Sequence, residues 1–247
     1  MASLYLAGDL AQQLNLGTDA VAGSVVTFGG EEARHAVSVA RVRVGEKISV
    51  SDGAGLVVSG RVVSIDGGVV SVTVESSIVE AAALPELWLV QALAKGDRDE
   101  LAIQAATELG VAGVIPWAAE RSVSRWEGPK ADKGRERWAS IVREATKQSI
   151  RSRIPVVEGM MSTAAVANLA GVILVLEPTA DLSLTAVLPD ADRIILVVGP
   201  EGGISPRELE AFSSAGATLV RLGAEVLRTS TAGPAALAVL NARLGRW

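Results

Sequence analysis

No cysteine occurs among the 247 residues, which removes disulfides, thiolate zinc sites and covalent cysteine catalysis together. The same absence limits nucleobase chemistry. Modifying carbon 5 of a pyrimidine normally begins with thiolate addition to the ring, so any such chemistry here falls on nitrogen or oxygen. His35 is the sole histidine, so His-paired metal motifs are excluded, no metal is expected, and a Ser-His-Asp hydrolase is disfavoured. The opening stretch MASLYLAGDLAQ has no basic segment and meets Asp9 before a long apolar run forms. Neither a signal peptide nor a membrane span is expected there, and the expected address is cytoplasmic.

What is present is globular in character. With 49% apolar and 21% charged residues, the chain has material for one large domain or two modest ones. The first 80 or so residues alternate in the strand manner: KISVSDG, LVVSGRVVSIDGG and VVSVTVESS, separated by Asp-Gly and Gly-Gly turns. Short strands at this spacing predict a small β-barrel. From Leu87 the rhythm changes to strand, helix, strand (LWLVQAL, DELAIQAATELG, VAGVIPW), and continues through VILVLEP, RIILVVGP and ATLVRLG to a final helix, AALAVLNARL. That is the pattern of a mostly parallel α/β sheet with helices on both faces. Pro85, in EAAALPEL, marks the boundary, with expected domains at 1–82 and 83–247.

The most informative stretch is RIILVVGPEGGISPRELEAF, residues 193–212, nearly repeated in LVRLGAEVLRTSTAGPAAL, residues 219–237. Each runs from an apolar strand through a glycine-bearing turn toward a helix. Two such turns at the carboxyl ends of neighbouring parallel strands would form a crevice rich in backbone donors, where open α/β sheets hold nucleotide-like ligands. Gly199, Gly202 and Gly203 let a ligand touch the main chain, and a β-branched side chain at Gly202 is expected to take the ligand's space. Ser205, Pro206 and Glu208 form a capping-box signature with proline at the first helical position. The turn is neither a P-loop nor a G-x-G-x-x-G fingerprint, so the ligand need not carry a phosphate.

A net charge of −5 argues against a surface coated for nucleic acid, but the distribution is uneven. Between Arg121 and Arg153 ten basic residues stand against four acidic ones, with Trp126 and Trp138 among them. Two readings are open: a stripe that holds phosphates and stacks on bases, or a solvated helix with tryptophans buried beneath it. A second cluster, Arg34, His35, Arg41 and Arg43, lies in the expected barrel, diluted by Glu31, Glu32 and Glu46.

The ordered set KGDR, ATELGV, ERSV, RIP, GPEGG with its capped helix, and LG-x-x-x-LRT-x-TA resembles the RsmE family of ribosomal RNA uridine-N3 methyltransferases. The likeness runs from EEARHAVSVARVRVGEKISVSDG to the final helix. It implies a PUA-like β-barrel followed by a SPOUT α/β domain tied in a trefoil knot, a feature that general topology rules would not suggest. It further implies S-adenosylmethionine as cofactor, a homodimer with the cofactor site near the subunit interface, and 16S ribosomal RNA in the small subunit as substrate. By the same resemblance the cofactor pocket would be lined by Leu176, Glu177, Gly199, Pro200, Glu201, Gly202, Gly203, Leu222, Gly223, Leu227, Arg228, Thr229 and Thr231. Arg121, Arg125, Lys147 and the Arg34, His35, Arg41, Arg43 cluster are the candidate RNA contacts.

The chemistry narrows two catalytic candidates. Uracil N3 carries a proton at neutral pH, so a cation beside the uracil carbonyl oxygens would stabilise the developing anion; Arg228 is the first candidate. Glu201 is the candidate base, although neighbouring amides would favour its ionised form, and it could instead hold the turn closed. Ser230 and Ala105 stand where many family members carry glutamate and lysine, and the usual basic start is missing from MASLYLAGDL. Asp97, Arg98 and Glu108 match the family but equally suit capping or interface roles.

Overall fold

A computed structural model describes residues 4–14 and 22–247. The first three residues of MASLYLAGDL lie outside it. The chain divides into two compact units, Met1–Ala82 with Thr146–Ile154, and Ala83–Ala145 with Pro155–Trp247.

The first unit is built on one five-stranded sheet. Its elements are β1 (Leu4–Leu6), α1 (Leu10–Gln13), β2 (Val25–Phe28), α2 (Gly30–Arg34), β3 (Lys47–Ser51), β4 (Leu56–Asp66) and β5 (Val69–Val79). Strand order is β1-β3-β4-β5-β2, antiparallel except for the β1–β3 pair. Period-two alternation sets the inward face: Leu56, Val58 and Val62 of β4 and Val70, Val72 and Val74 of β5 are all buried. The edge strands meet through their side chains, since the Tyr5 ring of β1 stacks on the Phe28 ring of β2 at 5.1 Å. The sheet therefore curls into a barrel around a single core. Gln13 covers part of the β2 edge, its amide donating to the Thr27 carbonyl and accepting from the Thr27 N–H. The segment 146–154 joins this unit through strand-like bonds, the Ile154 N–H to Gly53 and the Gly55 N–H to Ser152.

The second unit is a six-stranded parallel sheet. Its elements are β6 (Glu86–Ala92), α3 (Arg98–Glu108), β7 (Gly113–Trp117), α4 (Pro129–Gln148, its end falling in the first unit), β8 (Val156–Val157), α5 (Thr163–Ala167), β9 (Val172–Leu176), β10 (Arg193–Val198), α6 (Pro206–Ser214), β11 (Thr218–Val220) and α7 (Thr229–Arg243). Strand order is β11-β9-β10-β6-β7-β8. Both faces are covered, which is why VILVL and RIILVV read as unbroken apolar runs rather than alternating ones. Trp88, Val90, Trp117, Ile195 and Val197 pack with Phe212 of α6 on one face, while Leu87, Leu89, Leu174, Ile194 and Leu196 are also buried. No helix among the described residues is long and apolar enough to cross a membrane.

One boundary differs from expectation. The last helix begins at Thr229, six residues before the predicted AALAVLNARL, and carries Pro234 inside it. The early start is fixed from outside the helix. The Thr229 hydroxyl donates to the Gly199 carbonyl at 2.8 Å and accepts from the buried Gln91 amide at 2.8 Å, while the Arg228 carbonyl takes the Thr231 and Ala232 N–H groups. Such tertiary bonds override the local signal that proline gives.

Candidate functional site

A cavity of about 410 Å³ opens at the carboxyl ends of β11, β9 and β10. The two glycine-bearing turns do meet in it, but not as immediate neighbours. β9 lies between β10 and β11, and its end adds Leu176 and Glu177 to the wall. Ligands of open parallel sheets sit at this end of the strands.

Most of the residues singled out in the sequence line this cavity: Leu176 and Glu177 from β9, Gly199, Pro200, Glu201 and Gly203 after β10, and Leu222, Gly223, Leu227, Arg228 and Thr229 after β11. Gly203 adopts φ +72°, a left-handed conformation that favours glycine, and closes the turn through its N–H to the Pro200 carbonyl. Helix α6 follows with both halves of its capping box formed between Ser205 and Glu208.

Gly202 and Thr231 are not among the cavity-lining residues. A Cβ at Gly202 would stand 3.2 Å from the Arg121 Cβ and 3.4 Å from the Arg121 carbonyl oxygen. The missing side chain there makes room for a neighbouring loop rather than for the cavity. Thr231 is exposed on the first turn of α7. Conversely, Arg98, Arg221, Glu225 and Val226 line the cavity although the sequence reading did not place them there. Only the two ends of the LG-x-x-x-LRT motif were assigned, and the motif supplies Glu225 and Val226 from between them to the wall as well.

Charge at the cavity is largely organised by pairing. The Glu201 carboxylate accepts from the Arg98 guanidinium at 2.7 Å and the Lys95 N–H at 3.0 Å. Burial pushes its pKa up, but its own backbone amide, the Arg98 guanidinium and the Lys95 amide together hold it below the ordinary glutamate range. These bonds tie the turn to the loop and helix after β6, the arrangement that the turn-holding reading requires. Arg221 donates to the carbonyls of Ala180 and Asp181. Glu177 accepts from the Thr179 amide and hydroxyl. Arg228 is exposed at the N-terminus of α7, and neither it nor Glu225 makes a side-chain hydrogen bond or ion pair among the described residues.

The candidate RNA contacts fall into distinct surroundings. In the first unit Arg34, His35, Arg41 and Arg43 are all exposed, Arg34 at the end of α2, His35 at the start of the wide turn after it, and Arg41 and Arg43 in the loop that follows. Lys147 differs: its side chain is only 12% exposed and forms a 3.3 Å ion pair with Glu32, so its charge is matched within the fold. In the second unit Arg121 and Arg125 are exposed; Arg121 donates to the Gly202 carbonyl at 3.1 Å and Arg125 to the Glu120 carbonyl at 3.3 Å. The stripe is partly engaged elsewhere, with Arg137 paired to Glu100 and Arg135 bonded to the Val157 carbonyl. Its two tryptophans differ in burial, Trp126 being half-buried. Trp138 is 1% exposed and meets Trp126 edge-to-face at 5.3 Å, so the buried-tryptophan reading holds for Trp138.

Comparison with known proteins agrees with this geometry. A family model for an RNA methyltransferase domain matches residues 82–241, and one for an RNA methyltransferase PUA domain matches residues 28–75. A ribosomal RNA small subunit methyltransferase E of Mycobacterium bovis is 40% identical over 91% of this chain and 89% of its own length. The protein of that name from Bacillus subtilis is 32% identical over 86% of this chain and 88% of its own. Among solved structures, a ribosomal RNA small subunit methyltransferase E from Neisseria gonorrhoeae bound to S-adenosyl methionine superposes with a TM-score of 0.84 at 26% identity, covering 98% of both chains. Both the mixed α/β fold with its PUA-like barrel and the sequence relationship therefore agree: the chain belongs to the RNA methyltransferase family that includes the small subunit methyltransferase E proteins.

Proposed function

We propose that this protein transfers the methyl group of S-adenosylmethionine to N3 of a uridine in 16S ribosomal RNA of the small subunit, working as a cytoplasmic homodimer. The observation that carries this reading is the cavity at the ends of β11, β9 and β10, walled by main chain at Gly199 and Gly203 and bordered by Arg228. Its size lies in the range that encloses a nucleoside-sized ligand.

The wall suits the donor's chemistry. Its charges balance, Arg98, Arg221 and Arg228 against Glu177, Glu201 and Glu225, with Arg98 paired to Glu201 and Arg221 turned to backbone carbonyls. A balanced wall suits a ligand that carries charges of both signs, as the donor's sulfonium, ammonium and carboxylate do. Gly199, Gly203, Leu222 and Gly223 would hold the cofactor, with Leu176, Leu227 and Thr229 closing around it. When bound, S-adenosylmethionine would supply a methyl group activated by its sulfonium, passing in line to the nucleophile as the neutral thioether leaves, without need of a metal, so the protein's part is chiefly positioning. Arg228 stands at the rim with its guanidinium free to meet the uracil carbonyl oxygens and stabilise the anion formed as the N3 proton leaves. Glu201 keeps the turn in place. Arg34, His35, Arg41, Arg43, Arg121 and Arg125 would hold RNA phosphates. Val226 and Leu227, 77% and 38% exposed beside the cavity, give the second subunit an apolar surface to cover.

Two measurements test the reading. Calorimetry should show S-adenosylmethionine binding to the purified protein; no binding at millimolar cofactor would instead indicate a non-catalytic RNA-binding factor. Mass mapping of small-subunit RNA from cells lacking the protein should show one uridine without its base methyl. A missing ribose methyl in its place would assign 2′-O transfer.

A further inference from the structure

Two carboxylates of the second unit are buried among the described residues, Asp99 and Glu208. Glu208 is bonded beyond what its helix requires. It lies in the first turn of α6, 5% exposed. Its Oε2 accepts from the Ser205 N–H at 3.0 Å, which completes the capping box. Its Oε1 accepts two further hydrogen bonds, from the Glu120 N–H at 2.8 Å and the Thr163 hydroxyl at 2.9 Å. Thr163 in turn accepts from the Trp117 indole N–H at 3.1 Å, and the Ser205 hydroxyl donates to the Glu120 carboxylate at 2.5 Å. One carboxylate thus ties together the end of β7, the loop after it, the start of α5 and the start of α6.

The loop held in this way carries Arg121. Fixing the Glu120 amide fixes the backbone one residue earlier, and Arg121 then lies against the outer side of the glycine turn, bonded to the Gly202 carbonyl. The turn is therefore contacted on two sides, by the cavity through Gly199 and Gly203 and by the Arg121 loop at Gly202.

We propose that Glu208 is a positioning residue for methyl transfer, holding the Glu120–Arg121 loop in register with the Gly199–Gly203 turn so that the RNA-binding guanidinium and the donor pocket keep a fixed separation. This rests on the proposed roles of Arg121 and of the turn. All three groups bonded to the Glu208 carboxylate through its oxygens are donors, and an ionised carboxylate accepts from every one. An amide of the same shape must turn its NH2 toward at least one of them. Glu208→Gln therefore breaks at least one arm of the junction without opening a cavity.

The test is a double-mutant cycle in the full-length protein, Glu208→Gln with Arg121→Ala, read as KM for small ribosomal subunits and as the S-adenosylmethionine Kd by calorimetry. Glu208→Gln should raise KM about tenfold while the donor Kd moves less than about twofold, and Arg121→Ala should add almost nothing in that background. Effects on KM that simply multiply would overturn the positioning role and leave the proposed function standing, as would a donor Kd that weakens as much as KM. If Arg121→Ala alone leaves KM unchanged while the donor still binds, Arg121 is not an RNA contact and the positioning role falls with it. Should Glu208→Gln fail to fold, Thr163→Val reads the same junction, with Thr163→Ser expected to restore the wild-type KM.

Discussion

The Arg98 guanidinium stands 2.7 Å from the Glu201 carboxylate, joining the start of α3, which follows β6, to the turn that follows the adjacent strand β10. The pair closes one side of the cavity between two strand ends. Both groups keep access to water, so its value lies in fixing the turn more than in raw stability.

That pair sets a pH dependence. The Glu201 pKa is held below its unfolded value, so its contribution to stability is present throughout the neutral range and is lost only as pH falls through the lowered folded value. Thermal unfolding of wild type and Glu201→Gln from neutral to acid pH should show a gap that is widest near neutrality and closes below the ordinary glutamate range. A gap that instead widened in acid would contradict the direction of the shift.

Arg228→Ala should lower the single-turnover methylation rate about a hundredfold, the scale of losing one group that stabilises a developing oxyanion, with donor affinity changing far less. Arg228→Lys should recover part of the rate, because a point charge replaces some of the fork's stabilisation. Equal losses in rate and donor affinity would place Arg228 in cofactor binding only.

The two sides of the glycine turn can be separated. Gly203→Ala places a side chain at φ +72° on the cavity wall, and should cost about 1–2 kcal/mol in stability as well as weaken S-adenosylmethionine binding. Gly202→Val, directed toward Arg121, should impair subunit binding while donor affinity is largely kept. Titration calorimetry of both variants with the donor distinguishes these outcomes.

Replacing Arg121 and Arg125 together by Ala should weaken binding to the small subunit more at low salt than at high salt, with a shallower dependence of log affinity on log salt. A loss independent of salt would report misfolding rather than missing phosphate contacts.

The amino-acid sequence by itself determined the kinds of element and the glycine turn with its capped helix. Alternation in LVVSGRVVSID and unbroken apolar runs in VILVL and RIILVV are direct consequences of one-faced and two-faced burial, and the Ser205, Pro206 and Glu208 cap is a local interaction complete within four residues. Only the tertiary structure decided which strands adjoin, because pairing is a long-range choice that periodicity does not carry: β9 stands between the two glycine-bearing strands, and residues 146–154 return to the first unit. It also decided what each charge and glycine is for. Lys147 is matched by Glu32, Trp138 is enclosed, and Gly202 yields its space to Arg121, each through a partner distant in sequence and close only once the chain has folded.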